Sequence, residues 1–285
     1  GQGMVLRVSA GVDAGTIFLD WHGEAPTTGA AATPMANARL LVLLEEGARC
    51  DLVEAYAEAG ARNVVMQVRL EADSRLRHAR LQDNGGDSWL ITRTELEQGA
   101  GSAFEQTSLD LGAGLARHDL RARLVASGAS CTALGAYLPD GDAHVDHHLD
   151  VRHEATGCNS EQTFRGVMHG RGRAVFNGRV HVLPGADDSE AHQSNQNLLL
   201  SREAEVNTKP ELIIEADEVV ASHGATVGQL DETAVFYLRS RGIAENLARR
   251  MLTGAFCRSV VEAMGNETAR EAFRVRLEQS LETAS

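Results

Sequence analysis

Stretches in which every second residue is apolar, closed off by glycine-bearing turns, set the strongest limit on how this chain can fold. In VVMQVRL, residues 64–70, Val64, Met66, Val68 and Leu70 fall on one face and Val65, Gln67 and Arg69 on the other. In ARHDLRARLV, Ala116, His118, Leu120, Ala122 and Leu124 alternate with Arg117, Asp119, Arg121 and Arg123. A period of two gives a strand one buried and one exposed face. The pattern persists from about Ile17 to Ile214, so the core is predicted to be all-β.

Gly99, Gly128, Gly157 and Gly185 follow one another at 29, 29 and 28 residues, each in a short polar stretch after an alternating one. One turn per regular advance is the signature of a β-solenoid, whose coils cannot bury their inner face alone and must stack. A chain with 28 glycines also yields such spacings by coincidence. A sandwich with a strand every 8 to 12 residues or so therefore stands as the competing fold.

After residue 230 the period changes. Asp231 caps a predicted helix with Glu232 in its first turn, TAVFYLRSR follows, and Gly242 falls where a left-handed C′ residue belongs, with Arg239 and Arg241 near the negative end. A second helix is predicted from Ala244 to about Met264 with Leu247, Met251, Ala255, Phe256 and Val260 on one side. A third, capped by Asn266, carries Ala269, Phe273, Leu277 and Leu281 at steps of four.

A formal net charge of −13 repels a phosphate backbone, and basic residues cluster only in isolated pairs such as Arg249 and Arg250, which argues against nucleic acid. No apolar run approaches the roughly 20 residues of a membrane span. Cys50, Cys131, Cys158 and Cys257 lie far apart without C-x-x-C spacing, so the expected setting is a reducing cytoplasm. Lys209 is the only lysine, which rules out a phosphate-cradling G-x-x-x-x-G-K-[ST] loop. There is no G-x-S-x-G elbow, and the neighbours Ser222 and His223 would point to opposite faces of a strand.

One metal candidate stands out in DAHVDHHLDVRHE, residues 142–154: on a strand Asp142, His144, Asp146, His148 and Asp150 would share a face, and imidazole with carboxylate suits zinc or iron. His144 and His148 are the ligands of an alternative reading, a metal-dependent β-solenoid enzyme using residues 142–153. A solvated polar strand face is the simpler reading of the same residues. His118, alone on an apolar face, is expected to be a core histidine bonded to backbone. His223 precedes Gly224 and reads as a turn residue at a corner where sheet gives way to helix.

The run NTKPELIIEADEVVASHGATVGQLDETAVFYLRSRGI, residues 207–243, resembles the signature of the SufB/SufD family of the SUF iron–sulfur cluster assembly machinery. RGVMHGRGRAVFNGRVHV, residues 165–182, and QSNQNLLLSREAEV, residues 193–206, resemble the preceding blocks in the same order. Asn195 to Leu200 lacks the cysteine-containing stretch ordinary in SufB, which places the chain on the SufD side of the family. The resemblance implies a right-handed parallel β-helix over residues 1–228 with a C-terminal α-helical segment over 229–285. It also implies an N-terminal helical domain absent from this chain; the start at Gly1 rather than methionine reads the same way.

What the resemblance implies for function is a non-enzymatic scaffold. It would pair with a SufB-like subunit through β-helix edges, or with itself in isolation, and anchor a SufC-like ABC ATPase that carries the ATP. The ATPase contact is expected at Thr226, Gly228, Asp231, Glu232, Phe236, Tyr237, Arg239 and Arg241. His223, in the SHGATVG block, is implied in building the nascent cluster, which would be held transiently in the complex and not tightly by this chain. Members of the family often carry a cysteine two residues before this histidine. Ala221 stands there instead, so a thiolate would have to come from the partner.

Overall fold

In the computed structural model, which describes residues 2–22 and 35–283, the strands follow one another as β1 (Gln2–Val8), β2 (Asp13–Asp20), β3 (Met35–Leu44), β4 (Arg49–Tyr56), β5 (Ala61–Leu70), β6 (Arg75–Gln82), β7 (Trp89–Gln98) and β8 (Ala103–Asp110). They continue as β9 (Leu115–Leu124), β10 (Ser130–Tyr137), β11 (His144–His153), β12 (Asn159–Met168), β13 (Arg173–Val182), β14 (Ser189–Leu199), β15 (Glu205–Ile214) and β16 (Val219–Gly228). Odd-numbered strands form one eight-stranded sheet and even-numbered strands another, each in sequence order. Every pairing between neighbours is parallel, as with Val64 beside Thr92 and Cys131 beside Ser160. The chain is a β-solenoid with one strand of each sheet per coil, and the sandwich is excluded.

Alternation does what the sequence requires of it. Val64, Met66, Val68 and Leu70 are buried on β5, and Ala116 through Leu124 are buried in alternation on β9. Of these inward residues Met66, Val68, Leu70, Ala116, Leu120, Ala122 and Leu124 stack between the sheets into one apolar column with Leu40, Val42, Leu76 and Val151.

A column of left-handed residues turns each coil, though its members differ from the expected ones. Gly11, Gly47, Asp73, Gly101, Gly128, Gly157 and Asp188 all have φ between 57° and 74°. The N–H of each donates to the carbonyl preceding the corresponding residue of the next coil, from Gly11 to Glu46 through Gly157 to Asp187 and Asp188 to Glu218, at 2.7–3.3 Å. Gly128 and Gly157 belong to the column. Gly99 lies two residues before Gly101, and Gly185 three before Asp188, so their spacing was partly coincidence. The column was hard to see because two of its seats are held by aspartate, whose short side chain tolerates this backbone better than most.

Three helices follow: α1 (Glu232–Ser240), α2 (Glu245–Glu262) and α3 (Glu267–Thr283). Asp231 caps α1 by accepting from the Thr233 N–H at 2.8 Å. The helix ends at Gly242, φ 86°, with Gly242 N–H to Arg239 and Ile243 N–H to Leu238, the paired bonds of a Schellman stop. Asn266 caps α3 through Ala269 N–H, and Ala269, Phe273, Leu277 and Leu281 are buried as their spacing demands.

These last side chains pack with Cys257, Val260 and Val261 of α2 on the outer face of the even sheet, against Leu109, Leu134 and Val167. The strands beneath are covered on both sides, so alternation fades there and residues 107–110 and 134–137 are buried without interruption. The face of α2 differs from the expected one. Ala248, Thr253, Gly254, Cys257, Val260 and Val261 are buried, whereas Leu247 and Met251 stay exposed at 41 % and 47 %. Small residues win the interface because α2 must lie close: a Cβ on Gly254 would already meet Leu281 at 3.3 Å.

Candidate functional site at the open end of the solenoid

Among the described residues the two sheets finish at β15 and β16, each with a strand on one side only. Ile213, Ile214, Val220 and Val227 on this last coil are 39–61 % exposed. His223 lies in the middle of β16, not at a turn; the corner comes after Gly228, and Gly224 continues the strand. Its Cα partner on β14 is Gln193, which is buried. The parity of the row is fixed by its neighbours. His192 and Ser222, one residue earlier, point outward and meet at 2.8 Å, while Ala221 packs toward the buried cluster of Val180, Val182, Ala186 and Ala191. His223 therefore faces the space between the sheets and is exposed because no further coil covers it.

Ala221 occupies the same inward face and its methyl is a packing residue. All four cysteines are unpaired and buried. Burial pushes the thiols of Cys131 and Cys257 up to about 12 and that of Cys50 up to about 11, so none is a thiolate at neutral pH.

The residues expected to meet an ATPase lie side by side at the same end. Thr226 and Gly228 are exposed on β16, and Asp231 and Glu232 open α1. Phe236 and Tyr237 are 70 % and 55 % exposed. Arg241 lies over the Tyr237 ring at 4.6 Å, and Arg239 pairs with Glu245 at 3.2 Å. Glu232 is joined to Arg249 at 3.0 Å. Leu247 and Met251 add apolar surface to this helical end, a contribution the periodicity of α2 had assigned to the interior. Between the helices and the end of β14 runs a cleft of about 570 Å³ bordered by Leu199, Arg202, Leu230, Arg250 and Leu281.

The 142–153 stretch is organised differently from a metal centre. Asp142 lies in the turn before β11 and so shares no strand face with His144 and His148. Its carboxylate is taken by Arg171, that of Asp146 by Arg117 at 2.8 Å and that of Asp150 by Arg179 at 2.8 Å; His148 contacts Asp146 at 2.8 Å. Among the described residues no group of three or more His, Cys, Asp or Glu side chains is arranged to hold a metal ion.

Sequence reasoning missed a polar cluster inside the solenoid. Asp110 reaches from β8 to His118 of β9 at 2.9 Å and to His147 of β11 at 3.1 Å, and all three are buried. The second ring nitrogen of His118 is bonded to Thr92 Oγ1 at 2.7 Å, so its partners are side chains and not the expected backbone. Although burial opposes it, the adjoining imidazoles hold the Asp110 carboxyl well below the usual range. Burial, with Arg80 nearby, pushes His118 down to about 4. The three residues are spread over about a coil in sequence, and only register brings them together.

The last coil of the parallel solenoid thus combines exposed sheet edges, one inward imidazole and an adjoining exposed helical flank. The chain belongs to the family described as SUF system FeS cluster assembly, SufBD core domain, which it matches over residues 27–256. It is 34 % identical over 240 residues to an iron–sulfur cluster assembly SufBD family protein of Synechocystis, covering 80 % of this chain and 53 % of that protein. It is 31 % identical over 245 residues to iron–sulfur cluster assembly protein SufD of Escherichia coli, covering 84 % and 57 %, and 31 % identical over 279 residues to protein ABCI7, chloroplastic, of Arabidopsis thaliana, covering 95 % and 59 %. The chain thus spans between half and three-fifths of the length of these relatives. Among the described residues no helix is long and apolar enough to cross a membrane.

Proposed function

We propose that this chain is a SufD-like, non-enzymatic scaffold subunit for assembling nascent iron–sulfur clusters. The observation that carries the reading is the unfinished last coil: β15 and β16 offer free edges to a second chain, and His223 faces the opening between them. A SufB-like subunit extends both sheets by strand addition, its main-chain groups satisfying the edge N–H and C=O groups. Iron and sulfide are the cargo. A neutral imidazole supplies one iron ligand or takes a proton from a thiol, and since every cysteine here is buried and protonated, thiolates come from the partner.

The surface of Phe236, Tyr237, Leu247 and Met251, continued by Thr226, Gly228, Asp231, Glu232, Arg239 and Arg241, docks a SufC-like ABC ATPase. Exposed aromatics ringed by charge fit a protein contact of this kind. ATP is bound by that partner, and the complex works in the cytoplasm, where four unpaired thiols persist.

The test is reconstitution with a SufB-like subunit and a SufC-like ATPase, read by light scattering for assembly and by iron and sulfide content for cluster. His223→Ala is expected to assemble normally and to lose most of its cluster. Equal cluster content in mutant and wild type would remove His223 from the site, and failure of the wild-type chain to assemble would remove the scaffold reading.

A further inference from the structure

Register places Gln162 of β12, Gln193 of β14 and His223 of β16 in one inward row across three successive coils. Gln162 and Gln193 are 1 % and 3 % exposed. The Gln193 amide nitrogen donates to Gln162 Oε1 at 2.6 Å, which turns the Gln193 carbonyl the other way along the row. That oxygen, Gln193 Oε1, is buried and finds no hydrogen-bond partner among the described residues. A buried amide oxygen without a donor is costly, by about 1–3 kcal/mol, and native interiors satisfy such groups almost without exception.

The next member of the row is an imidazole. Neighbouring strands lie about 4.8 Å apart, so side chains stacked on one face touch, and a neutral histidine carries one N–H and one lone pair. The opposite sheet makes room for the amide: a Cβ on Gly178 of β13 would come within 2.2 Å of Gln193 Nε2. The glycine leaves the space in which the amide lies across the interior.

We propose that Gln193 is the positioning residue for His223: its Oε1 accepts the imidazole N–H, which fixes the tautomer and aims the lone pair of the other ring nitrogen out of the open end. The donors of the row then all point the same way, from His223 to Gln193 to Gln162, and each bond polarises the next. A ligand histidine held by its second nitrogen is the arrangement that sets ring orientation and basicity. The inference rests on the reading of His223 as the working imidazole, but its geometry can be tested without any cluster.

The experiment is nitrogen NMR of the full chain labelled in its histidine rings, at a pH where the imidazoles are neutral, with the His223 signal assigned by its loss in His223→Asn. In wild type one tautomer of His223 dominates. In Gln193→Met, which keeps the shape and removes the acceptor, the tautomer ratio shifts by about fivefold toward that of a free imidazole, the worth of one ordinary hydrogen bond. Gln193→Glu, which keeps an acceptor, restores a single tautomer. The signals of the other ten histidines report whether each variant is folded. If Gln193→Met is not, Gly178→Ala, which displaces the amide, is expected to loosen the same tautomer. An unchanged ratio in the folded variants overturns the proposal. Normal cluster content in His223→Ala beside a shifted tautomer in Gln193→Met would sink the functional reading and leave the positioning intact.

Discussion

Asp110 and His118 meet at 2.9 Å between the two sheets, a carboxylate and an imidazole both sealed from water. Burial holds His118 at about 4, and His153 is likewise pushed down to about 4 by burial. In the unfolded chain both titrate near 6.5. Between those values the unfolded chain binds more protons than the folded one, so stability rises with pH across the window and is lost on acidification. Each histidine is expected to cost about 1–2 kcal/mol by pH 5. Urea midpoints at pH 7 and pH 5 check this, and His153→Gln should shrink the difference between them; an unchanged difference would show that His153 titrates normally when folded.

Asn266 ties the helical end to the solenoid. It caps α3 through Ala269 and donates to Asp51 of β4 at 2.6 Å. Asn266→Ala is expected to cost about 2–4 kcal/mol, the sum of a cap and a bond to a carboxylate. Asn266→Asp keeps the cap but sets a second carboxylate against Asp51, so it should also destabilise, and less so in high salt. A denaturation curve for each variant at low and high ionic strength separates the two contributions.

The left-handed column makes a prediction about backbone alone. Gly157→Ala meets no crowding, since its nearest neighbour is Gly128 N at 4.0 Å, yet φ is 67°. The expected loss is about 1–2 kcal/mol. Asp73→Gly, at φ 57° in the same column, should be close to neutral or slightly stabilising. A matching loss at both positions would mean that conformation is not what the column selects for.

Phe236→Ala and Tyr237→Ala are expected to leave the unfolding free energy, from urea curves, within about 0.5 kcal/mol of wild type, as befits exposed side chains. On the proposed ATPase surface each should weaken binding of a SufC-like ATPase by about tenfold or more. Calorimetric titration with the purified ATPase reads the effect directly. Undiminished affinity in the double variant would move the dock elsewhere.

The sequence carried the architecture further than it carried the interior. Rows such as Val64 to Leu70 and the caps Asp231 and Asn266 are local patterns, and each is found where its spacing placed it. The buried face of α2 differs from the one its spacing predicts, because close packing on Leu281 favours Gly254 and its small neighbours over Leu247 and Met251. The cluster of Asp110, His118 and His147, and the row of Gln162, Gln193 and His223, join residues about one coil apart. Only the register of stacked strands makes them neighbours, and one residue of slip would turn each to the opposite face. His223 could be singled out by resemblance, but its position above Gln193 could not be read from spacing.

A stacked fold of this kind has no internal reason to stop. Each coil is a template for the next, and at β15 and β16 the template is intact but the chain turns away into α1. Growth has been interrupted, as at the face of a crystal, and such a face grows by whatever unit fits. On the pairing proposed above, the abundance of a matching subunit relative to this one would decide the fate of newly made chains: in excess of its mate, each copy would meet its own kind edge to edge, and balanced synthesis would be a structural requirement of the fold before a regulatory one.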